Sequence, residues 1–160
     1  AHGNQPIQHM IYLYNYAGEP WKTQFHVRNI LNKLYNYTPD GYCGDEDNGQ
    51  TSAWYVFSSL GFYPVTPGTD EYVFGSPLFK KATLRFEDGK SLVIEAPENS
   101  RENVYVGGIS LNGKELTGNF VRHSELQSGG KLKFTMQDNP DLKRGTTEES
   151  YPFSMSREDR

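Results

Sequence analysis

The chain has 160 residues, a formal net charge of −4, 35% hydrophobic and 14% aromatic content, and 11 tyrosines. That length holds one ordinary core or two small ones. Lys and Arg never run beyond two in a row, which argues against nucleic acid as a partner. No apolar run approaches the roughly 18 residues of a membrane span, and the single cysteine, Cys43, excludes an internal disulfide. A tyrosine-rich, lysine-poor surface suits sugars, because a ring can stack on a sugar face while its hydroxyl hydrogen-bonds.

The sequence opens with neither an initiator Met nor a signal peptide, and a dense motif starts at Gly3, so it reads as the interior of a longer protein. Gly3-Asn4-Gln5-Pro6 is a loop feeding a helix, with Pro6 at a first helical position where its missing N–H costs nothing. Ile7, Met10, Ile11, Leu13 and Tyr14 cover more than one face, so the spacing predicts a largely buried helix over residues 7–17, stopped by Gly18. Gln8, His9 and Asn15 would then be polar groups in an apolar setting and need partners. Glu19-Pro20-Trp21 opens a second helix, apolar on one side at Val27, Ile30, Leu31 and Leu34, with Gln24, Arg28, Asn29, Asn32 and Lys33 facing out. Pro39 ends it, since the residue before a proline is disfavoured as helix. A third, buried helix is expected over residues 49–60. The order buried, amphipathic, buried is that of two concentric rings of alternating helices, and three helices are too few to close such rings.

Residues 40–54, DGYCGDEDNGQTSAW, separate the second and third helices. Asp40, Asp45, Glu46 and Asp47 fall within eight residues, and glycines break them up, so this is a loop and not a helix face. Acids crowded on a glycine loop that opens a buried helix raise one another's pKa and point into one place. Such a place suits a base that activates water, a cation, or both. A purely local account also exists. Asp47 with Gln50 three residues later has the form of a capping box, which only starts a helix; it leaves Asp45 and Glu46 over.

Beyond Pro64 the period changes. Prolines and glycines over residues 64–76 mark turns, and short alternating segments follow. Residues 83–86 and 91–95 are expected to form a hairpin across Asp88-Gly89, and Asn112-Gly113 is a strong type I′ turn signal. Strands are expected at residues 104–106, 109–111, 120–121 and 132–136, in an antiparallel, sandwich-like layer. The polar tail from Asp138 is expected to be loosely held. The chain is therefore α+β, divided into helices over residues 1–64 and a β region over residues 65–160.

Three stretches resemble glycoside hydrolase family 92, the calcium-dependent exo-α-mannosidases. They are GNQPIQHMIYLYNYAGEPWKTQ (residues 3–24), PDGYCGDEDNGQTSAWYVFSSLGFYPVTPGTDEYVFGSPLFKKA (39–82) and the weaker HSELQSGGKLKFTM (123–136). The resemblance implies the last helices of an (α/α)6 barrel followed by C-terminal β structure, with most of the barrel and an N-terminal β-sandwich upstream of Ala1. It implies an inverting, Ca2+-assisted hydrolysis of terminal α-linked mannose, α-1,2 foremost, in glycans. Asp47 matches the general base and Asp45 its partner, though their order could be reversed. Asn4 and Gln5 match the loop that holds part of the calcium, with Gln5 also at the substrate. Residue type alone favours Asn4 as a turn terminator. Trp21 and Tyr14 are candidate linings of the sugar pocket; Trp54 is assigned to the core.

The chain departs from the family pattern at two points. Gln5 stands where many members have Glu, and a neutral amide repels an anionic leaving group less. A mannose-1-phosphate-6-mannose linkage is therefore a second candidate substrate. The family's general acid is a Glu upstream of this region, and no acid here matches it. A rival of another class is a non-catalytic β-module that binds glycan or only braces the barrel. Localisation stays open, with an extracellular, periplasmic or cell-surface setting ahead of the cytoplasm; the sequon Asn36-Tyr37-Thr38 has meaning only in a eukaryotic secretory pathway.

Overall fold

The computed structural model describes residues 2–157. The first segment is not the continuous helix that its apolar spacing predicts. It makes a 3₁₀ turn at Gln5–Ile7 and a 3₁₀ helix at Met10–Asn15. Side chains take the carbonyls that an α-helix would keep. Trp54 Nε1 donates to the Gln8 carbonyl (3.1 Å), Thr23 Oγ1 to that of Ile11 (2.8 Å) and Asn15 Nδ2 to that of Tyr12 (3.1 Å). Such donors compete directly with the helical ladder. Burial follows expectation at Gln8 and Asn15 but departs from it at Met10 and Leu13. Gln8, Tyr12 and Asn15 are buried, whereas Met10 and Leu13 are 52% and 42% exposed.

Helix α1 spans Pro20–Lys33 and starts on its proline. Val27 and Leu31 enter the core as expected, but Gln24 and Arg28, expected to face out, are buried as well. The reason is the β region packed on this face. Gln24 Oε1 accepts the Val106 amide (3.0 Å). Arg28 donates to the Pro77 carbonyl (2.9 Å), Asn99 Oδ1 (2.6 Å) and the Ser100 carbonyl (2.8 Å). Helix α2 spans Gln50–Leu60, close to its expected bounds, and Gly61 closes it in the left-handed conformation that glycine adopts without strain. It is not buried all round: Trp54 is fully buried while Val56 is 55% exposed.

Among the described residues eight strands follow: β1 Phe62–Tyr63, β2 Glu71–Phe74, β3 Lys81–Arg85, β4 Ser91–Glu95, β5 Tyr105–Leu111, β6 Lys114–Glu115, β7 Phe120–Arg122 and β8 Gly130–Gln137. A short helix, α3 (His123–Gln127), joins β7 to β8. They form a three-stranded sheet, β1-β2-β7, and a five-stranded sheet, β3-β4-β8-β5-β6. The β3–β4 hairpin turns at Gly89, and Asn112-Gly113 turns β5 into β6 with both residues at positive φ, as a type I′ turn requires. Pairing is antiparallel except between β4 and β8. Strand β8 lies between β4 and β5, which run in opposite directions, so it must be parallel to one of them.

One core cluster draws Phe62, Phe74 and Val121 from the smaller sheet and Leu92, Ile94, Leu132 and Phe134 from the larger. A second gathers Tyr12, Val27, Leu31, Trp54 and Val73 beneath the helices, and Phe57 packs against both. The tail, expected to be loose, is strapped down. Arg144 donates to the Leu116 and Gly118 carbonyls (3.0 Å each), the Phe153 amide to Glu71 (2.7 Å) and Arg157 to the Tyr16 carbonyl (3.0 Å). Among the described residues no helix is long and apolar enough to cross a membrane.

Arg28 is the joint between helix and β region. Arg28→Ala removes three hydrogen bonds and leaves buried acceptors unpaired, so it should destabilise the fold by about 3 kcal/mol. The shift in the chemical denaturation midpoint measures this.

Candidate active site

The site begins with two loops that lie 40 residues apart in sequence and touch through their backbones. A Cβ on Gly3 would collide with the Cys43 carbonyl, and a Cβ on Gly44 with the Gly3 carbonyl. Only glycine permits this approach. It sets Asn4 and Gln5 beside the start of the acidic loop. Both are exposed. The Asn4 side chain caps nothing, and only its carbonyl, which accepts the Ile7 amide (3.1 Å), serves the turn.

The acidic loop divides its acids by role. The side chain that caps the N-terminal amides of α2 is that of Glu46 and not that of Asp47, contrary to the capping-box pattern. Glu46 accepts the Gly49 amide (2.6 Å), the Ser52 amide (3.2 Å) and the Ser52 hydroxyl (2.6 Å). The Ser52 hydroxyl and the Gly49 amide hold its carboxyl below the usual carboxylate range. The Asp47 and Glu46 carbonyls accept the Gln50 and Thr51 amides. With the cap complete, Asp45 and Asp47 are both exposed, and among the described residues neither carboxylate has a hydrogen-bond or ion-pair partner.

Asp47 and Asn48 both sit at positive φ, 57° and 53°, ahead of Gly49 at 102°. Left-handed backbone disfavours ordinary L-residues, and Asp and Asn tolerate it best. Three such residues in succession tighten the turn into α2, and the caps on the helix amides hold it there.

A polar chain ties the two loops to α2. Gln8 Nε2 donates to Thr51 Oγ1 (2.9 Å), and Thr51 Oγ1 donates to the Asp45 carbonyl (2.9 Å). Gln8 is 1% exposed, and its Oε1 is a buried oxygen without a partner among the described residues. A buried, unpaired amide oxygen is a fitting donor for a hard cation, which takes oxygen ligands. Among the described residues no group of three or more His, Cys, Asp or Glu could hold a metal, so amide and carbonyl oxygens would have to share in such a site. Residue type had marked Gln8 only as a polar group needing a partner. Its position three residues after Gln5 was visible, but its orphaned oxygen depends on where Thr51 and Trp54 fall.

An open hollow of about 630 Å3 flanks the site and is lined by Gln5, His9, Gln50 and Tyr63, with no acidic side chain among its lining residues. The other proposed sugar contacts lie apart from it. Tyr14 is half-buried and stacks on His26, with ring centres 5.5 Å apart and planes 16° apart, and the Lys22 ammonium lies 5.6 Å from its ring. Trp21 is half-buried in the first turn of α1. Neither lines the hollow around Gln5.

Comparison with known proteins bears on this geometry. The family model described as the glycosyl hydrolase family 92 catalytic domain matches residues 1–138. A family GH92 inverting mannosidase from Bacteroides thetaiotaomicron VPI-5482 is 56% identical over 98% of this chain, with a TM-score of 0.92. A family GH92 α-mannosidase from Bacteroides thetaiotaomicron is 41% identical over 96% of the chain, also with a TM-score of 0.92. An uncharacterized secreted glycosidase of Arthroderma benhamiae is 30% identical over 96% of the chain. The chain spans about a fifth of the length of these relatives: 21%, 21% and 20%.

His2 anchors the first loop from below. It is buried against Trp54, with ring centres 4.2 Å apart, and its Nε2 lies 2.8 Å from the Tyr35 hydroxyl. Burial lowers its pKa from 6.5 to about 4. The unfolded chain takes up this proton near 6.5 and the folded chain only near 4, so stability falls as pH drops through that window. The expected loss on acidification is about 2–3 kcal/mol. Denaturation midpoints measured from pH 7 to pH 4 should show it, with a flatter profile for His2→Gln.

Proposed function

The chain belongs to glycosyl hydrolase family 92, and on that premise we propose that it is the C-terminal part of an inverting α-mannosidase in which Asp47 is the general base and Asp45 its partner. Two unpartnered carboxylates carry this assignment, on a loop that turns left-handed at Asp47 and whose Cys43-Gly44 backbone packs on Gly3, next to Asn4 and Gln5. An inverting glycosidase activates water with one carboxylate on the face opposite the leaving group, while an acid protonates the departing oxygen. Asp47 takes the water's proton, and Asp45, two residues away, orients the same water. The acid comes from the upstream polypeptide. That polypeptide, the rest of an (α/α)6 barrel with an N-terminal β-sandwich, also covers the exposed apolar side chains of Met10, Leu13 and Val56.

Gln8 Oε1, with the side-chain oxygens of Asn4 and Gln5, would hold calcium. Bound there, the ion supplies Lewis-acid polarisation of sugar hydroxyls and of a ligated water. The substrate is terminal α-linked mannose in a glycan, α-1,2 first. Tyr14 and Trp21 would reach it only as outer contacts.

Asp47→Asn in the full-length polypeptide should lower kcat on an aryl α-mannoside about 10³-fold, leave the thermal midpoint unchanged and leave activity dependent on calcium. Glu46→Gln should instead lower the thermal midpoint, because it weakens the cap on α2. Retention of a tenth or more of wild-type kcat by Asp47→Asn would remove it as the base.

One observation favours a second substrate. The hollow beside Gln5 carries no carboxylate, so it does not repel a phosphate in the leaving group. If mannose-1-phosphate-6-mannose is the substrate, Gln5→Glu should depress its cleavage about tenfold relative to α-1,2-mannobiose. An unchanged ratio of the two kcat/KM values would exclude this role for Gln5.

A further inference from the structure

A second hollow, of about 550 Å3, opens between the end of α1 and α2 and is unused by the chemistry above. Tyr35, Tyr37, Tyr42 and Tyr55 line it together with Asn36 and Pro39, and no charged residue is among its lining residues. Tyr35 is the buried hub: its ring lies 5.8 Å from Tyr42 at 89° and 5.1 Å from Tyr55 at 45°. Tyr42 is 41% exposed, and Tyr37 is fully exposed. Rings set at steep mutual angles around an open space offer apolar faces and hydroxyl groups together. That combination matches a neutral ligand with C–H faces and many hydroxyls, and it offers no charged side chain to an ion. The volume is within the range of small-molecule sites.

The hollow is coupled to the acidic loop. The Tyr42 hydroxyl lies 2.7 Å from Ser52 Oγ, and Ser52 Oγ donates to Glu46 (2.6 Å), the residue that caps α2 beside Asp47. A ligand seated on Tyr42 therefore sits one hydroxyl away from the carboxylate that holds the loop in shape.

We propose that this tyrosine hollow is an accessory sugar subsite that binds a hexose of the substrate glycan remote from the bond being cleaved. It rests on the glycosidase reading above, which supplies a sugar polymer at the acidic loop. Long neutral oligosaccharides should therefore be preferred over small glycosides, with Tyr37 as the outermost stacking platform.

The test uses the full-length enzyme and its Tyr37→Ala and Tyr37→Trp variants, with an α-linked mannotetraose and an aryl α-mannoside. In Tyr37→Ala the ratio of kcat/KM for tetraose to that for the aryl mannoside should fall about tenfold, and the loss should lie in KM. Tyr37→Trp, which keeps a platform, should restore the ratio. An unchanged ratio in Tyr37→Ala overturns the subsite. So does an equal loss on both substrates, which would mean that the hollow is filled by the protein itself. Failure of the wild type to cleave either substrate would sink the glycosidase reading separately. Calorimetric titration with mannotetraose then decides the subsite alone: binding weakened about tenfold in Tyr37→Ala supports it, and no binding to the wild type overturns it.

Discussion

Gly3 and Gly44 lie against each other's neighbouring carbonyls with no side chain between them, and the geometry of the candidate site follows from that contact. Any Cβ at either position would push the Asn4–Gln5 turn away from Asp45. The approach is then locked from the far side. Trp54 holds the Gln8 carbonyl, Gln8 holds Thr51, and Thr51 holds the Asp45 carbonyl. Each of these bonds is buried or partly buried, where leaving one unmade is costly. Two exposed carboxylates thus rest on a rigid polar floor.

The division of labour within the acidic loop follows from elementary accounting of helix amides. A helix start leaves unpaired N–H groups that must find acceptors. One carboxylate, Glu46, with backbone carbonyls, supplies them. Asp45 and Asp47 are released from structural duty, and the left-handed turn at Asp47 and Asn48 keeps their backbone from relaxing into the helix. Backbone strain of this kind persists only where its surroundings impose it.

The helices and the β region interlock. Arg28 and Gln24 reach from α1 into the β region, Phe57 of α2 packs on both core clusters, and the tail returns to Glu71 and Tyr16. This interlocking bears on the idea of an independent glycan-binding β-module. The β region is the support on which α1 and α2 are seated, and α2 in turn carries the acidic loop.

Much of this was legible in the residues. The bounds of α2, the hairpins at Asp88-Gly89 and Asn112-Gly113, the buried Trp54 and the family itself follow from local chemistry and from long ordered motifs. These are properties of near neighbours in the chain, so they survive without knowledge of what packs where. Four features did not follow. The first segment winds as 3₁₀ because Trp54, Thr23 and Asn15 take its carbonyls. Gln24 and Arg28 turn inward because β5 and the loop near Asn99 wait for them. The polar tail is held by Glu71 and Tyr16. The helix cap falls to Glu46 in place of Asp47. Each depends on a partner distant in sequence or on a backbone angle, neither of which residue type encodes locally. The sequence by itself therefore determined which residues are available for the site, and only the tertiary structure decided which are spent on holding it together, because a hydrogen bond is allotted by distance in space.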